Sequence, residues 1–225
     1  METRGQEKYI NMSSFAARLY DKLSESNGMK KGFAKIARLV AVKMTEGRLL
    51  DVSSGPGRLL LEMKEHAPQL ELHGLDISKA MLKIAWKRLS TDVLLKQGNI
   101  IKTDYPSDYF DCIVSSGSFY NWDNPVEALN EIYRILKPGQ TAYIYETTKE
   151  YDPEILNVNL QENLVNAGLL RWFLSPLFLK KQLKMTYTVS EFRKIVMQSD
   201  FKNSYTLERD VLGGLPIYVR IELLK

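Results

Sequence analysis

Short apolar runs alternate with longer stretches of helical periodicity between residues 48 and 147. Short apolar runs are typical of buried strands, whereas apolar residues that recur every three or four positions are typical of helices. Strands are predicted over 48–52, 70–75, 92–97, 110–115 and 141–147, and helices over 58–66, 79–89 and 124–137. Because strands that alternate with helices pair in parallel beneath them, the pattern predicts an α/β fold on a mostly parallel sheet.

The whole chain is expected to form a single domain. It has 225 residues, of which 44% are hydrophobic, enough for one well-buried core. We expect an N-terminal helical cap over 1–46, a ligand-binding core over 47–147, an insert over 151–187, and a C-terminal helix and hairpin over 188–225. The cap is predicted to contain two helices that are separated at Asn27-Gly28.

The C-terminal part is predicted to end in an antiparallel hairpin. A helix near 188–199, capped by Ser190, precedes strand-like runs at about 203–209 and 215–223. Gly213-Gly214 joins those runs, and this link is too short for the crossover helix that parallel strands need. The last two strands should therefore be antiparallel to each other.

Composition excludes several classes of protein. Lys and Arg number 31 against 27 Asp and Glu, so the net charge of +4 is too small to predict binding to nucleic acid. The single cysteine, Cys112, permits no intrachain disulfide and no cage of thiolates around a metal. The N-terminus lacks the apolar core of a signal peptide, and no apolar run is long enough to span a membrane. We expect a cytoplasmic protein without a metal.

A glycine turn follows the first predicted strand. In "LLDVSSGPGRLLLEM" (49–63), Gly55 and Gly57 permit positive φ and leave bare backbone where a ligand can approach the start of a helix. Asp76 follows the second strand, where a carboxylate can accept hydrogen bonds from both hydroxyls of a ribose. Alternatively, the glycines form only a tight turn and Asp76 caps the next helix, although Ser78 is equally placed to be that cap.

Two classes of ligand fit a glycine turn combined with a ribose site: a dinucleotide, or an adenosyl compound such as S-adenosylmethionine. Leu60 occupies the position of the third glycine in the dinucleotide fingerprint. Asp51, at the end of the first strand, would repel a pyrophosphate but attract the ammonium group of an amino acid. The cationic adenosyl ligand is therefore favoured over the NAD(P) of an oxidoreductase.

Five segments resemble the class I S-adenosylmethionine-dependent methyltransferases in order and spacing, particularly the small-molecule group related to ubiquinone and menaquinone methyltransferases. They read "LLDVSSGPG", "LHGLDISKAML", "LLKQGNI", "FDCIVSSGSFYNW" and "EIYRILKPGQTAYIYE". The resemblance implies a Rossmann-like, seven-stranded, mostly parallel sheet with helices on both faces and a C-terminal antiparallel hairpin. It also implies that S-adenosylmethionine is the methyl donor and S-adenosylhomocysteine the product.

The resemblance also implies a set of donor-binding residues. Asp51 would hold the methionine part, Asp76 the ribose, and Tyr20 would close over the donor. The full set is Tyr20, Asp51, Ser53, Gly55, Gly57, Asp76, Ile77, Met81, Gly98, Asn99, Ile100, Ser115 and Ser116.

Two residues of this set depart from the family's usual pattern. Ser53 replaces the first glycine of the turn, and Asn99 stands where an Asp commonly receives the adenine amino group. An Asn carbonyl still accepts that hydrogen bond, so we expect weaker donor binding rather than loss of function. These departures leave a second hypothesis open: a non-catalytic sensor or assembly protein that binds S-adenosylmethionine or S-adenosylhomocysteine.

The acceptor is expected to be a small, apolar molecule. Residues 116–122, Ser-Gly-Ser-Phe-Tyr-Asn-Trp, lack the Asn/Asp-Pro-Pro-aromatic tetrapeptide of enzymes that methylate DNA bases or glutamine. The insert over 151–187 would form the acceptor cavity. The candidate acceptor residues are Tyr120, Trp122, Tyr151, Arg171, Trp172, Phe173 and Phe178.

Methyl transfer needs mainly contact between the reactants and exclusion of water, so a dedicated base is optional. If there is one, Tyr20 and Tyr120 are the candidates, because His66 is expected near a helix end and His73 within a core strand. Alternatively, the insert packs on the sheet or forms a dimer contact, and the chain is a monomer or homodimer. A further interpretation is that Lys180, Lys181 and Lys184 touch an anionic membrane surface.

Overall fold

A computed structural model describes residues 10, 12–89, 91–164 and 169–225. In these ranges, one seven-stranded sheet has the order β3-β2-β1-β4-β5-β7-β6. The first five strands are parallel, and β7 is antiparallel to both β5 and β6. The strands are β1 Gly47–Val52, β2 Leu70–Asp76, β3 Leu94–Gln97, β4 Phe110–Ser116, β5 Leu136–Thr147, β6 Tyr205–Leu212 and β7 Leu215–Leu224. The predicted fold class and hairpin are confirmed.

Helices cover both faces of the sheet. They are α1 Ser14–Leu23, α2 Asn27–Lys43, α3 Arg58–His66, α4 Lys79–Arg88, α5 Pro125–Ile135, α6 Pro153–Leu164, α7 Leu169–Met185 and α8 Val189–Met197. A short 3-10 helix spans Phe119–Asn121. The insert between β5 and α8 is thus formed largely by α6 and α7.

Neighbouring residues of the central strands face opposite layers of the core. Leu49 of β1 packs in one apolar cluster with Ile36 of α2 and Leu60 of α3. Leu50, the next residue, packs in a second cluster with Leu129 of α5 and Phe192 of α8. Because both faces are buried, the strands appear in the sequence as continuous apolar runs.

The strand order reverses between β1 and β4, since β2 and β3 lie on one side of this pair and β5 on the other. Ligands of open parallel sheets bind in the crevice outside the carboxyl ends of the strands at such a reversal. The turns that follow Val52, Asp76 and Ser116 all lie at this edge.

Several predicted helix boundaries were wrong because a nearby side chain makes a better cap. The first two helices separate before Asn27, where Ser26 Oγ accepts a hydrogen bond from Met29 N at 3.2 Å. The cap of α8 is Thr188 rather than Ser190, and Thr188 forms a capping box with Glu191. The predicted helix over 124–137 ends at Ile135 for a different reason, because strand β5 begins at Leu136.

The tip of the β6–β7 hairpin fits directly against the start of α2. Gly213 has φ of 59°, and a Cβ added there would lie 2.0 Å from the carbonyl oxygen of Gly28. Gly139 has φ of 76°, yet a Cβ added there would meet nothing within 4 Å. The two glycines therefore share a backbone requirement but differ in available space.

We predict that Gly213→Ala destabilises the protein more than Gly139→Ala. The control substitution should cost about 1 kcal/mol, the strain of a left-handed alanine. Gly213→Ala adds a backbone clash and should cost at least about 2 kcal/mol more. Chemical denaturation of both variants measures the difference. Equal losses of unfolding free energy would contradict the close contact between the hairpin and α2.

Candidate functional site

The turn between β1 and α3 is built from left-handed residues. Ser53, Gly55 and Gly57 have φ of 61°, 53° and 78°. A Cβ on Gly57 would lie 2.8 Å from Leu89 Cδ1, whereas a Cβ on Gly55 would meet nothing nearer than 4.0 Å. Gly57 thus permits close packing of the turn on α4, and Gly55 leaves bare backbone.

Asp76 connects the end of β2 to this turn. Its Oδ2 accepts a hydrogen bond from Gly55 N at 2.8 Å, and its Oδ1 accepts one from Ser78 N at 2.7 Å. Burial raises the pKa of Asp76 to about 6, although the two backbone N–H groups oppose the shift. Ser78 caps α4 by accepting from Met81 N, which was the alternative role considered for Asp76.

Asp51 lies at the end of β1 and is 2% exposed. Burial raises its pKa well above the usual range, and the neighbouring Asp76 carboxylate raises it further. A cation placed beside Asp51 would favour its ionised form and reverse this shift. The two carboxyl groups therefore create a buried region suited to a positively charged ligand.

Two cavities meet at Ser53, which lines both. The first is a narrow cleft lined by Val52, Ser53, Leu75, Asp76, Ile77, Gly98, Asn99, Ile100 and Trp122. The second is larger, and its polar end is formed by Tyr20, Asp51, Ser53, Ser54, Gly55, Arg58, Ser116 and Gly117. Most of the residues predicted to bind the donor therefore line one or other of these two neighbouring cavities.

Three residues of the predicted donor set are not among those lining the two cavities. Gly57 forms the N-cap of α3, and Met81 is buried in α4. Ser115 is buried, and its Oγ donates to Val52 O at 3.0 Å. These three support the turn and the strand ends, and a direct role in donor binding stays a prediction.

The predicted acceptor residues are scattered. Trp122 lines the narrow cleft, where its Nε1 donates to Ser53 Oγ at 3.4 Å. Tyr120 is buried in the apolar core, and Tyr151 is half-buried against the cluster on the other face. The remaining four have backbones within α7, but their side chains lie outside the described part of the structure: Arg171, Trp172, Phe173 and Phe178.

Most of the residues that form the wall of the larger cavity were not predicted from the sequence. Its apolar residues come from α2, α6, α7 and the hairpin: Met29, Phe33, Ile36, Leu160, Leu179, Leu212, Leu215 and Tyr218. Gln182 also lines it and donates from Nε2 to Thr147 Oγ1 at 3.3 Å. Phe33 and Ile36 lie in the second of the two predicted N-terminal helices, but the periodicity that predicts a helix does not show that these side chains line a cavity.

Glu146, near the end of β5, was also not predicted from the sequence to contribute to the site. It is fully buried, and its Oε1 accepts from Thr147 N at 2.7 Å while Oε2 accepts from Tyr120 N at 3.3 Å. Burial raises the pKa of Glu146 to about 7. This carboxyl group fixes the segment after β4, which carries Trp122 into the cleft.

No helix in the described ranges is long and apolar enough to cross a membrane. On α7, Leu177, Lys180, Lys181 and Lys184 are exposed, and their spacing places them on one side of the helix. Contact of this side with a membrane surface stays a prediction, as do the cytoplasmic location and the oligomeric state.

The strand order and the C-terminal antiparallel hairpin are those expected of the class I S-adenosylmethionine-dependent methyltransferase fold that the sequence resembles. Residues 50–144 also match a family model described as "Methyltransferase domain". The resemblance predicted from the sequence is therefore confirmed.

Individual relatives agree with this classification. An uncharacterized methyltransferase, YdaC, of Bacillus subtilis is 35% identical over 46% of this chain and 58% of its own length. A demethylmenaquinone methyltransferase of Deinococcus radiodurans is 31% identical over 64% of this chain and 62% of its own. The chain thus spans about three fifths of the length of these curated relatives.

Among solved structures, a putative S-adenosyl-L-methionine-dependent methyltransferase of Methanococcus maripaludis superposes with a TM-score of 0.73. It is 25% identical, and the match covers 95% of this chain and 93% of that one. The likeness extends beyond the core to the N-terminal helices and the C-terminal hairpin.

We predict that Ser53→Gly is more stable than Ser53→Ala by about 1 kcal/mol, because only the alanine keeps a Cβ in a left-handed conformation. Both variants lose the hydrogen bond to Trp122, so that loss cancels in the comparison. Chemical denaturation measures the difference. Equal stabilities would show that residue 53 does not adopt positive φ.

Glu146 should make folding less favourable as pH rises. The pKa of Glu146 is about 7 in the folded protein, above the ordinary glutamate pKa of 4.5. Its contribution to the free energy of unfolding is therefore complete below pH 4.5 and is lost as the pH rises through about 7. The variant Glu146→Gln should lose up to about 3 kcal/mol less unfolding free energy than the parent protein over this pH range. Urea denaturation at several pH values measures it, and parallel curves for both proteins would contradict the prediction.

Proposed function

We propose that this protein transfers a methyl group from S-adenosylmethionine to a small, apolar acceptor. The proposal is carried by the placement of Asp51 and Asp76 at the ends of adjacent strands, beside a bare glycine turn. They line two cavities that share Ser53, and the larger of the two has an apolar wall. The relatives reported above are named as methyltransferases, and none favours the non-catalytic alternative.

The residues present suit this donor. Asp76, Gly98 and Asn99 line the narrow cleft, which would take the adenosine part, with the ribose hydroxyls donating to Asp76. Asp51 and the backbone at Gly55 lie in the larger cavity, which would take the methionine part, with its ammonium beside Asp51. When bound, S-adenosylmethionine supplies a methyl group activated by a positively charged sulfur.

The acceptor would lie against the apolar wall of the larger cavity. Phe33, Leu179 and Leu215 would cover it there and exclude water, and Tyr20 and Asp51 line the same cavity. In an in-line transfer, a lone pair of the acceptor forms a bond to the methyl carbon while the carbon–sulfur bond breaks. Holding the two reactants in contact can supply about 7–11 kcal/mol of the barrier reduction. A catalytic role of Tyr20 or Tyr120 remains part of the proposal.

Donor binding should weaken as the pH falls from about 7 to about 5, because Asp76, with a pKa near 6, becomes protonated and ceases to be a strong acceptor. Hydroxyl groups that donate to its carboxylate lower that pKa, so binding near pH 6 should release protons. Calorimetry with S-adenosylhomocysteine in buffers of different ionisation enthalpy measures both effects. Affinity that does not change with pH would place the ribose elsewhere.

Asp76→Asn should weaken binding at neutral pH by about 1–3 kcal/mol, the value of hydrogen bonds to a charged acceptor. Methyl transfer itself is tested by incubating the protein with isotopically labelled donor and the apolar fraction of a cell extract. Tight binding of NADH with none of S-adenosylhomocysteine would overturn the proposed function.

A further inference from the structure

Three charged side chains from three separate elements meet beside the glycine turn. Asp21 of α1 lies between Arg58, the first residue of α3, and Arg88, the last residue of α4. Arg58 Nη2 is 2.8 Å from Asp21 Oδ1, and Arg88 Nη2 donates to Oδ1 and Oδ2 at 2.9 and 2.8 Å. We call these three residues the Asp21 cluster.

The Asp21 cluster is largely withdrawn from water. The side chains of Asp21, Arg58 and Arg88 are 18%, 11% and 17% exposed. The guanidinium groups of Arg58 and Arg88 both contact Asp21, and without that carboxylate between them the two positive charges would repel each other. Glu25 lies 3.4 Å from Arg58 but is 44% exposed, so Asp21 is the better shielded acidic partner.

The Asp21 cluster fastens α1 directly to the donor site. Arg88 Nη1 also donates to the carbonyl of Pro56 in the glycine turn, and Arg58 Nη2 donates to the main-chain carbonyl of Asp21 at 2.9 Å. Tyr20, the neighbour of Asp21, lines the larger cavity together with Asp51. A displacement of Asp21 would therefore move Tyr20 relative to the site.

Apolar packing buries α1 in part. Among the apolar side chains of α1 that the structure describes, Ala17 is fully buried, Leu19 and Tyr20 are half-buried, and Phe15 is 73% exposed. Helices are normally held in place by burial of a continuous apolar stripe. The charged contacts of the Asp21 cluster add a second attachment, which joins α1 to the glycine turn itself.

We propose that Asp21 is a positioning residue, whose carboxylate holds α1 against the glycine turn and thereby keeps Tyr20 in the wall of the larger cavity, where the methionine part of the donor would bind. The effect on catalysis rests on the proposed function, but the attachment of α1 does not. Asp21 touches neither donor nor acceptor in this scheme and acts through Arg58, Arg88 and the helix that it anchors.

The test compares Asp21→Asn with Asp92→Asn. Both substitutions remove one carboxylate charge. Asp92 is exposed and pairs with Lys64 at 2.8 Å, and neither of these two residues lines either cavity. Asp21→Asn should speed amide hydrogen exchange in α1 about tenfold or more in the absence of any ligand. It should also weaken S-adenosylhomocysteine binding about tenfold, with a larger change in KM for the donor than in kcat. The control variant should match the parent protein in both measurements.

Exchange in α1 that is equally slow in both variants would overturn the proposal, as would unchanged donor affinity in a variant whose α1 exchanges rapidly. A second variant, Arg88→Gln, tests whether the effect is specific to the asparagine substitution. If Asp21 acts through Arg88, the double variant Asp21→Asn/Arg88→Gln should lose less binding free energy for S-adenosylhomocysteine than the sum of the losses in the two single variants. Failure of the parent protein to bind S-adenosylhomocysteine would refute the proposed function, while the exchange measurement still decides whether Asp21 anchors α1.

Discussion

The pair of hydrogen bonds from Gly55 N and Ser78 N to the Asp76 carboxylate joins the ends of two successive strands. One bond fixes the glycine turn after β1, and the other fixes the start of α4 after β2. Ser54 N, which donates to Leu75 O at 3.0 Å, also ties the glycine turn to β2, so backbone and side-chain contacts together hold the two strand ends at one distance. Asp76 also lines the narrow cleft, so the residue that is proposed to bind the ribose is the one that holds the turn in place.

Burying Asp51 beside Asp76 carries a cost when no cation is present. Burial disfavours the ionised forms of Asp51 and Asp76 and raises the pKa of both. The two carboxyl groups therefore bind protons at a higher pH than exposed aspartates do. A positively charged ligand would remove part of the penalty by pairing with Asp51 and by donating hydrogen bonds from its hydroxyl groups to Asp76. In the proposed function, the two carboxyl groups would therefore favour a cation over an anion whatever the shape of the ligand. A pyrophosphate, which is negatively charged, would increase the same penalty.

The central part of the fold was predictable because its signals are local. Apolar runs marked the strands, and the residues at their ends, Asp51 and Asp76, followed directly from the boundaries. Helix boundaries were less accurate because Ser26 and Thr188 compete with neighbouring residues as caps, and the choice depends on side-chain geometry. The orientation of Tyr120 was also beyond a local argument, since Glu146 and the core determine which way that segment turns.

The acceptor cavity shows most clearly why sequence alone was insufficient. Phe33, Gln182 and Tyr218 are far apart in the chain and meet only because α2, α7 and the hairpin close over the carboxyl edge of the sheet. The contact of Gly213 with Gly28 helps to set that closure. Since most of this wall comes from segments that flank residues 50–144, substitutions there would change the shape of the cavity while leaving Asp51 and Asp76 at the strand ends unchanged. In the proposed function, acceptor selectivity would therefore depend on long-range packing, and donor binding on local turns.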